Sequence, residues 1–282
     1  THILRGEEHL SNTPRQLLIY EALDFKPPQF AHISLILGED RSKMSKRHGA
    51  TSVVQYREEG YLPEALVNFL ALLGWSPEGE EEIFTREELI QLFSLERVSK
   101  SPAVFNLEKL KWMNAHYIKE LPVAELTKLC LLHLQKAGLI GTDLTAEQMS
   151  WLEQVVDTVM GKLEYLAQIP DLVKVFFGET VELAEEDAAA KEVLALETSS
   201  AVLQAFLKKA QEASAWDEPQ IRQILKEIGK EIGVKGKALY MTVRVAVSGQ
   251  SHGPDLNSLL TLLGPKVVIK RINYTLNNLL LD

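Results

Sequence analysis

The sequence predicts a mainly α protein with a short α/β beginning. Two observations carry that reading. From about residue 122 onward, apolar residues recur at spacings of three and four through 123–137, 146–166, 171–177, 188–213, 218–229 and 237–247, and no alternating strands interrupt them. At the start, Thr1-His2-Ile3-Leu4 reads instead as the end of a buried strand, turning through Arg5-Gly6-Glu7-Glu8 into a helix that Ser11, Asn12 or Thr13 can cap. Pro14 suits the first turn of that helix, which continues from Gln16 to Leu23. A strand feeding a helix N-terminus is a common way to set polar groups beside an anionic ligand.

Composition bounds the function classes. With 282 residues, 46% of them hydrophobic, the chain can form two or three compact domains with ordinary cores. No apolar run reaches the ~18 residues of a membrane span, and no signal peptide is present, so neither membrane insertion nor secretion is expected and the cytoplasm is the default. The one cysteine, Cys130, lies among leucines and reads as a buried apolar residue, which excludes a disulfide framework and a thiolate metal site. The net charge of −9 does not exclude nucleic acid, because its sign is set by acidic stretches at 78–82, 87–88 and 179–187 while cations gather at 41–47, 226–237 and 266–271.

Between the two ends the chain reads as helices with clear stops. A short helix at 53–59 ends at Gly60, and 62–73 begins with Pro63 and places Leu66, Phe69, Leu70 and Leu73 on one stripe before Gly74-Trp75-Ser76-Pro77 stops it. Thr85 and Glu88 make a capping box for 87–93, and Asn106 caps a helix carrying Leu107, Leu110 and Trp112. Trp75, Phe93 and Trp112 could stack on bases, but among leucines at helical spacing they are expected in the core. Ala31-His32-Ile33-Ser34 leads through Leu35-Ile36-Leu37 as a strand would. The abrupt start, with neither an initiator methionine nor a complete βαβ unit, leads us to expect the C-terminal part of a longer protein.

Residues 37–50, Leu-Gly-Glu-Asp-Arg-Ser-Lys-Met-Ser-Lys-Arg-His-Gly-Ala, hold Arg41, Lys43, Lys46 and Arg47 within seven positions of a glycine-bounded stretch. Mobile cations on such a loop suit a polyphosphate, because they can follow charge toward a leaving group. Lys43-Met44-Ser45-Lys46-Arg47 resembles the KMSKS signature of class I aminoacyl-tRNA synthetases. Both its flank, Arg47-His48-Gly49-Ala50, and the upstream Leu4-Arg5-Gly6-Glu7-Glu8-His9-Leu10-Ser11-Asn12-Thr13-Pro14-Arg15-Gln16 are similar to glutamyl-tRNA synthetases.

The resemblance implies a fold and roles. The fold would be the C-terminal edge of a Rossmann-like α/β catalytic domain (1–36), the KMSKS-type loop with an α-rich stem-contact domain (37–121), and two helical anticodon-binding subdomains (122–185 and 186–282). Residues 61–66 and 105–114 look like the family's segment at the inner corner of tRNA. Arg5 would pair with a carboxylate of L-glutamate, and Glu7, His9 and Asn12 would line the floor shared by ATP and the tRNA 3′ end. Lys43 and Lys46 would stabilise the triphosphate of ATP, handled with Mg2+, while Ser45 and Arg47 complete the loop and Met44 packs. The family's other signature, of the pattern His-Ile-Gly-His, is not found, so the chain is expected to be inactive alone. A monomer is expected.

The tail carries two candidate anticodon readers. Residues 236–249 followed by Gly253-Pro254-Asp255-Leu256 look like the family's last anticodon element, in which an arginine, here Arg244, and a Gly-Pro turn hold splayed bases. Where strict readers of the third anticodon base carry arginine, this chain offers Gly161 or Lys162. The expectation is relaxed reading, with glutamate placed on both tRNA(Glu) and tRNA(Gln). Glutaminyl-tRNA synthetases share the catalytic-half motifs but end in β-barrels, which disfavours them. A non-catalytic tRNA-binding helical module is the other alternative, opposed by the intact lysine loop, and a helical scaffold without RNA is a third; salt-dependent RNA binding separates the last two.

Overall fold

The computed structural model describes residues 1–44 and 52–280, which fall into two compact units: Thr1–Leu121 with Lys162–Ala167, and Pro122–Gly161 with Gln168–Asp282. Most of both is helix, as the apolar periodicity requires.

In the first unit, β1 (His2–Gly6) pairs in parallel with β2 (Gln29–Ile33), and α1 (Thr13–Ala22) supplies the crossover that a parallel pair needs. This is a complete βαβ unit, contrary to expectation. Gln29-Phe30-Ala31-His32-Ile33 is too brief an alternation to read as a separate strand, and only the pairing with β1 defines it. The expected buried strand is also half open, with Leu4 45% exposed, because β1 has a single neighbouring strand among the described residues. The chain through 31–37 is two strands rather than one: β3 (Ile36–Leu37) pairs in parallel with β4 (Ala103–Val104), and Ser34 Oγ, at the break, donates to the Lys100 carbonyl.

The helices that follow start and stop where their capping residues predict. α2 (Val53–Glu59) opens with a capping box between Ser52 and Gln55 and closes at Gly60 in the left-handed region, φ 84°. α3 (Pro63–Leu72) has Pro63 in its first turn, α4 (Arg86–Leu92) has the Thr85–Glu88 box, and α5 (Leu107–Glu120) has Asn106 accepting from the Lys109 amide. Tyr56, Tyr61, Leu66, Phe69, Phe105, Leu110 and Met113 form the core between them, with Met44 and Tyr165 packed against it. Two buried amides bind the unit together: Asn114 accepts from the Leu62 amide and donates to the Glu164 carbonyl, while Asn68 accepts from the Phe84 amide and the Tyr117 hydroxyl. Trp75 is in the core as expected, but Phe93 and Trp112 are about half exposed. Buried positions on α5 are Leu110, Met113, Asn114 and Ile118, and Trp112 falls on the opposite face. Phe93 caps α4 with an extended backbone that carries it out of the helical stripe.

The second unit contains α6 (Val123–Lys136), α7 (Ala146–Val159), α8 (Ile169–Val173), α9 (Ala188–Leu194), α10 (Ser199–Glu212), α11 (Glu218–Ile232), α12 (Lys237–Ser248) and α13 (Leu256–Asn278). Cys130 is buried, and that burial pushes its thiol up to about 12. Three spans differ from the periodicity. The helix at 146–166 stops at Val159, since the Glu164 carbonyl and the Leu166 amide bond to Asn114 and Gly60 instead of to a helical ladder. The span 171–177 begins earlier, at Ile169, and tightens into a 3-10 turn at Lys174–Phe176. The span 188–213 is two helices, because the Ser199 hydroxyl donates to the Val193 carbonyl and closes α9. The long α13 was not among the predicted spans; Gly264, at φ 73°, with Pro265 after it, breaks the helix and its apolar pattern. Trp151 and Trp216 donate to the α13 carbonyls of Leu262 and Leu260 and fix it in the unit.

Candidate functional site

Of the predicted substrate residues, Arg5 is held inside the first unit by groups from α1 and β2, whereas Glu7, His9 and Asn12 do not touch it. Parallel register places Arg5 of β1 opposite His32 of β2, so their side chains rise from the same side of the sheet toward the first turn of α1. There the Arg5 Nη2 donates to Thr13 Oγ1 (2.6 Å) and Gln16 Oε1 (2.7 Å), and His32 Nε2 meets the same Thr13 hydroxyl at 2.9 Å. The guanidinium carbon stands 5.5 Å from the centre of the Phe30 ring. Arg5 Nε is buried and has no partner among the described residues. A guanidinium held at one nitrogen, with other N–H donors unused, can turn those donors to an oxygen anion. The simple Arg5–Glu7 ion pair is not formed; Glu7 Oε1 accepts from the Leu35 amide at 3.3 Å. His9 and Asn12 meet each other at 3.3 Å and are exposed.

Sequence reasoning gave no part in the site to Thr13, Gln16, Phe30 or His32. The alternation of Phe30 and His32 with a parallel partner strand was the available signal, and it becomes legible only once the register is known.

The lysine loop begins with a tight turn. The Gly38 amide donates to the Ser42 carbonyl and the Arg41 amide to Gly38, Arg41 takes φ 60°, and Asp40 accepts from the Ser42 amide and hydroxyl. Lys43 bridges Leu37 and is exposed, whereas Met44 packs against the aromatic core. Ser45, Lys46 and Arg47 lie outside the described residues. Among the described residues no group of three or more His, Cys, Asp or Glu could hold a metal ion.

In the second unit, Arg244 of α12 donates through Nη1 to the Pro254 carbonyl at 2.8 Å, and a Cβ on Gly253 would stand 3.5 Å from that nitrogen. Arginine and Gly-Pro turn are therefore one assembly, not separate features. Burial lowers the Arg244 pKa, with Asp255 acting in the opposite sense. Asp255 caps α13, accepting from the Asn257 and Ser258 amides, and Leu256 behind it is buried. Gly161, the last residue of its stretch of the second unit, and Lys162, which opens the 162–167 segment of the first, are exposed in a 3-10 turn after α7. A side chain at Gly161 would meet nothing within 4 Å.

The basic stretch 266–271 is not an open cationic patch. Arg271 is 2% exposed and donates to the Val175, Phe177, Gly178 and Val247 carbonyls at 2.7–2.8 Å, and Lys270 pairs with Glu179 at 2.6 Å.

The chain resembles known proteins over nearly its whole length. Residues 1–112 match the family described as tRNA synthetases class I (E and Q), catalytic domain, and residues 123–276 match the anticodon binding domain family. The chain is 51% identical over 276 residues to a glutamate-tRNA ligase of Desulforamulus reducens, with 98% of this chain and 57% of that protein covered. It is 46% identical over 274 residues to the glutamate-tRNA ligase of Bacillus subtilis, covering 96% of this chain and 56% of the relative. A crystal structure of a glutamate tRNA ligase from Elizabethkingia meningosepticum, in complex with its amino acid, superposes with a TM-score of 0.84 at 28% identity over 99% of this chain and 57% of its own. The chain thus spans a little over half the length of the relatives it matches. It belongs to the class I glutamyl and glutaminyl (E and Q) tRNA synthetases, joining a segment of their catalytic domain to an anticodon binding domain.

Proposed function

We propose that the protein carrying this chain is a cytoplasmic, monomeric glutamate-tRNA ligase. It activates L-glutamate with ATP and Mg2+ to glutamyl-adenylate and transfers the glutamyl group to the 3′ end of tRNA(Glu). The observation that carries the reading is Arg5: a guanidinium held by Thr13 and Gln16, with a buried unpartnered Nε, in a chain whose relatives are named glutamate-tRNA ligases. Arg5 orients a substrate carboxylate by its charge and by the guanidinium hydrogens that Thr13 and Gln16 leave free. Glu7, His9 and Asn12 form the floor that ATP and the tRNA terminus share. A glutamate carboxylate oxygen attacks the α-phosphorus, pyrophosphate leaves with its charge balanced by Lys43 and Lys46 in a loop completed by Met44, Ser45 and Arg47, and the terminal tRNA hydroxyl then displaces AMP from the acyl carbon. In this reading the units follow the divisions 1–36, 37–121, 122–185 and 186–282.

Anticodon recognition falls to Arg244 with Gly253, Pro254 and Leu256, and to Gly161 and Lys162. Neither of the last two offers a bidentate fork, so the enzyme also charges tRNA(Gln). Aminoacylation of both tRNAs by the full-length protein tests this. Comparable charging of the two is expected, with Gly161→Arg selectively lowering the tRNA(Gln) reaction, since the site has room for the larger side chain. Strong rejection of tRNA(Gln) by the unaltered enzyme overturns the relaxed reading, and failure to attach glutamate to either tRNA overturns the whole assignment.

A further inference from the structure

The acidic segment that follows α8 contributes a side chain that nothing above assigns to RNA recognition. Asp187 lies 64 residues before Ser251 in sequence, yet its Oδ2 accepts from both the amide and the hydroxyl of Ser251 at 2.7 Å. Its Oδ1 accepts from the Ala190 amide at 2.9 Å and caps α9. Ser251 is 5% exposed and sits between Gly249, which ends α12, and the Gly253-Pro254 turn that Arg244 grips. The same acidic segment seats the start of the loop. Gly249 has φ 72° and a Cβ there would stand 2.0 Å from the Glu182 carbonyl oxygen.

From these contacts we infer that Asp187 is a positioning residue for anticodon reading, a carboxylate clamp that presents the Gly253-Pro254 turn and Arg244 to the RNA; this rests on the anticodon role proposed above. The 249–255 loop is pinned at its start against the Glu182 backbone, at its middle by Asp187, and at its end by Arg244 and the Asp255 cap. Asp187 is the clamp on the middle whose removal leaves the other two in place. Its pKa is lowered chiefly by the Ser251 amide and hydroxyl, consistent with a carboxylate that stays ionised while it holds the loop. Bases splayed from an anticodon loop are read on their edges by groups that must be held in register, so a turn released at Ser251 loses discrimination before it loses affinity.

The test separates the two jobs of this carboxylate. Serine is as good a helix cap as aspartate but is too short to span to Ser251, so Asp187→Ser keeps the α9 cap and removes the clamp. The full-length protein and its Asp187→Ser and Ser251→Ala variants are compared for binding to tRNA(Glu) and to the same tRNA with its second anticodon base substituted, alongside thermal melting. Expected is a cooperative melt lowered by a few degrees at most, because the Ser251 amide and hydroxyl lose their acceptor, with the affinity ratio between the two RNAs reduced about tenfold in Asp187→Ser and by less in Ser251→Ala. An unchanged ratio in Asp187→Ser overturns the inference and leaves anticodon reading standing. An unaltered protein that binds both RNAs equally overturns anticodon reading and this inference with it.

Discussion

Arg271 is a cation without a carboxylate partner among the described contacts, and its removal gives the sharpest test of how the second unit holds together. Its guanidinium donates to the Val175, Phe177 and Gly178 carbonyls on one side and to Val247, near the end of α12, on the other. It therefore joins α13, the 3-10 turn at Lys174–Phe176 and α12. Burial lowers this arginine's pKa, while the partial negative charge of carbonyls at helix ends favours the cation. Each hydrogen bond from a charged donor contributes roughly 1.5–3 kcal/mol. Replacing Arg271 with methionine fills the volume but strands the carbonyls, so we expect a loss of about 3–5 kcal/mol. At 2–4 °C per kcal/mol for a unit of this size, melting falls by roughly 10 °C. Scanning calorimetry measures it, with the fluorescence of Trp151 and Trp216 reporting on α13. Arg271→Lys should recover less than half of the loss, because a single ammonium cannot reach carbonyls on both sides. A methionine variant that melts within about 2 °C of the unaltered protein refutes the reasoning.

Three further outcomes follow from the geometry. Gly60→Ala forces a left-handed backbone on alanine, at about 1–3 kcal/mol, and its Cβ would lie 2.5 Å from Leu166 Cβ; chemical denaturation of the first unit should show at least that loss, and an unperturbed midpoint counts against the packing described. Lys43→Ala should lower glutamyl-adenylate formation by about 10²–10³-fold while tRNA binding is retained, and equal losses in both would move Lys43 from phosphate stabilisation to RNA contact. Asp187, whose pKa lies below the ordinary 3.8, contributes stability that is complete above that value and is lost as pH falls through the lower folded-state pKa. The stability difference between the unaltered protein and Asp187→Ala should accordingly be flat at neutral pH and shrink below the ordinary carboxylate range; a difference that grows on acidification would show that the carboxyl acts in its protonated form.

The sequence by itself determined what depends on neighbours along the chain. Caps at Thr85, Asn106 and Gly60, the proline at the start of α3 and the 3.6-residue periodicity of most of the tail are local properties, and they placed those helices closely. The Lys-Met-Ser-Lys-Arg stretch and Arg5 were legible for the same reason, being dense local chemistry. Tertiary structure decided what depends on distant partners. β2 exists because β1 lies beside it, and that register brings His32 to Thr13 and Arg5. The helical periodicity of 146–166 is cut short at Val159 because the Glu164 carbonyl and the Leu166 amide bond to Asn114 and Gly60. Arg271 and Asp187 looked like members of solvated charge runs, since a charge pattern cannot show which carbonyls or amides will be folded against it. Desolvation by those groups turned two surface-like charges into a staple and a clamp.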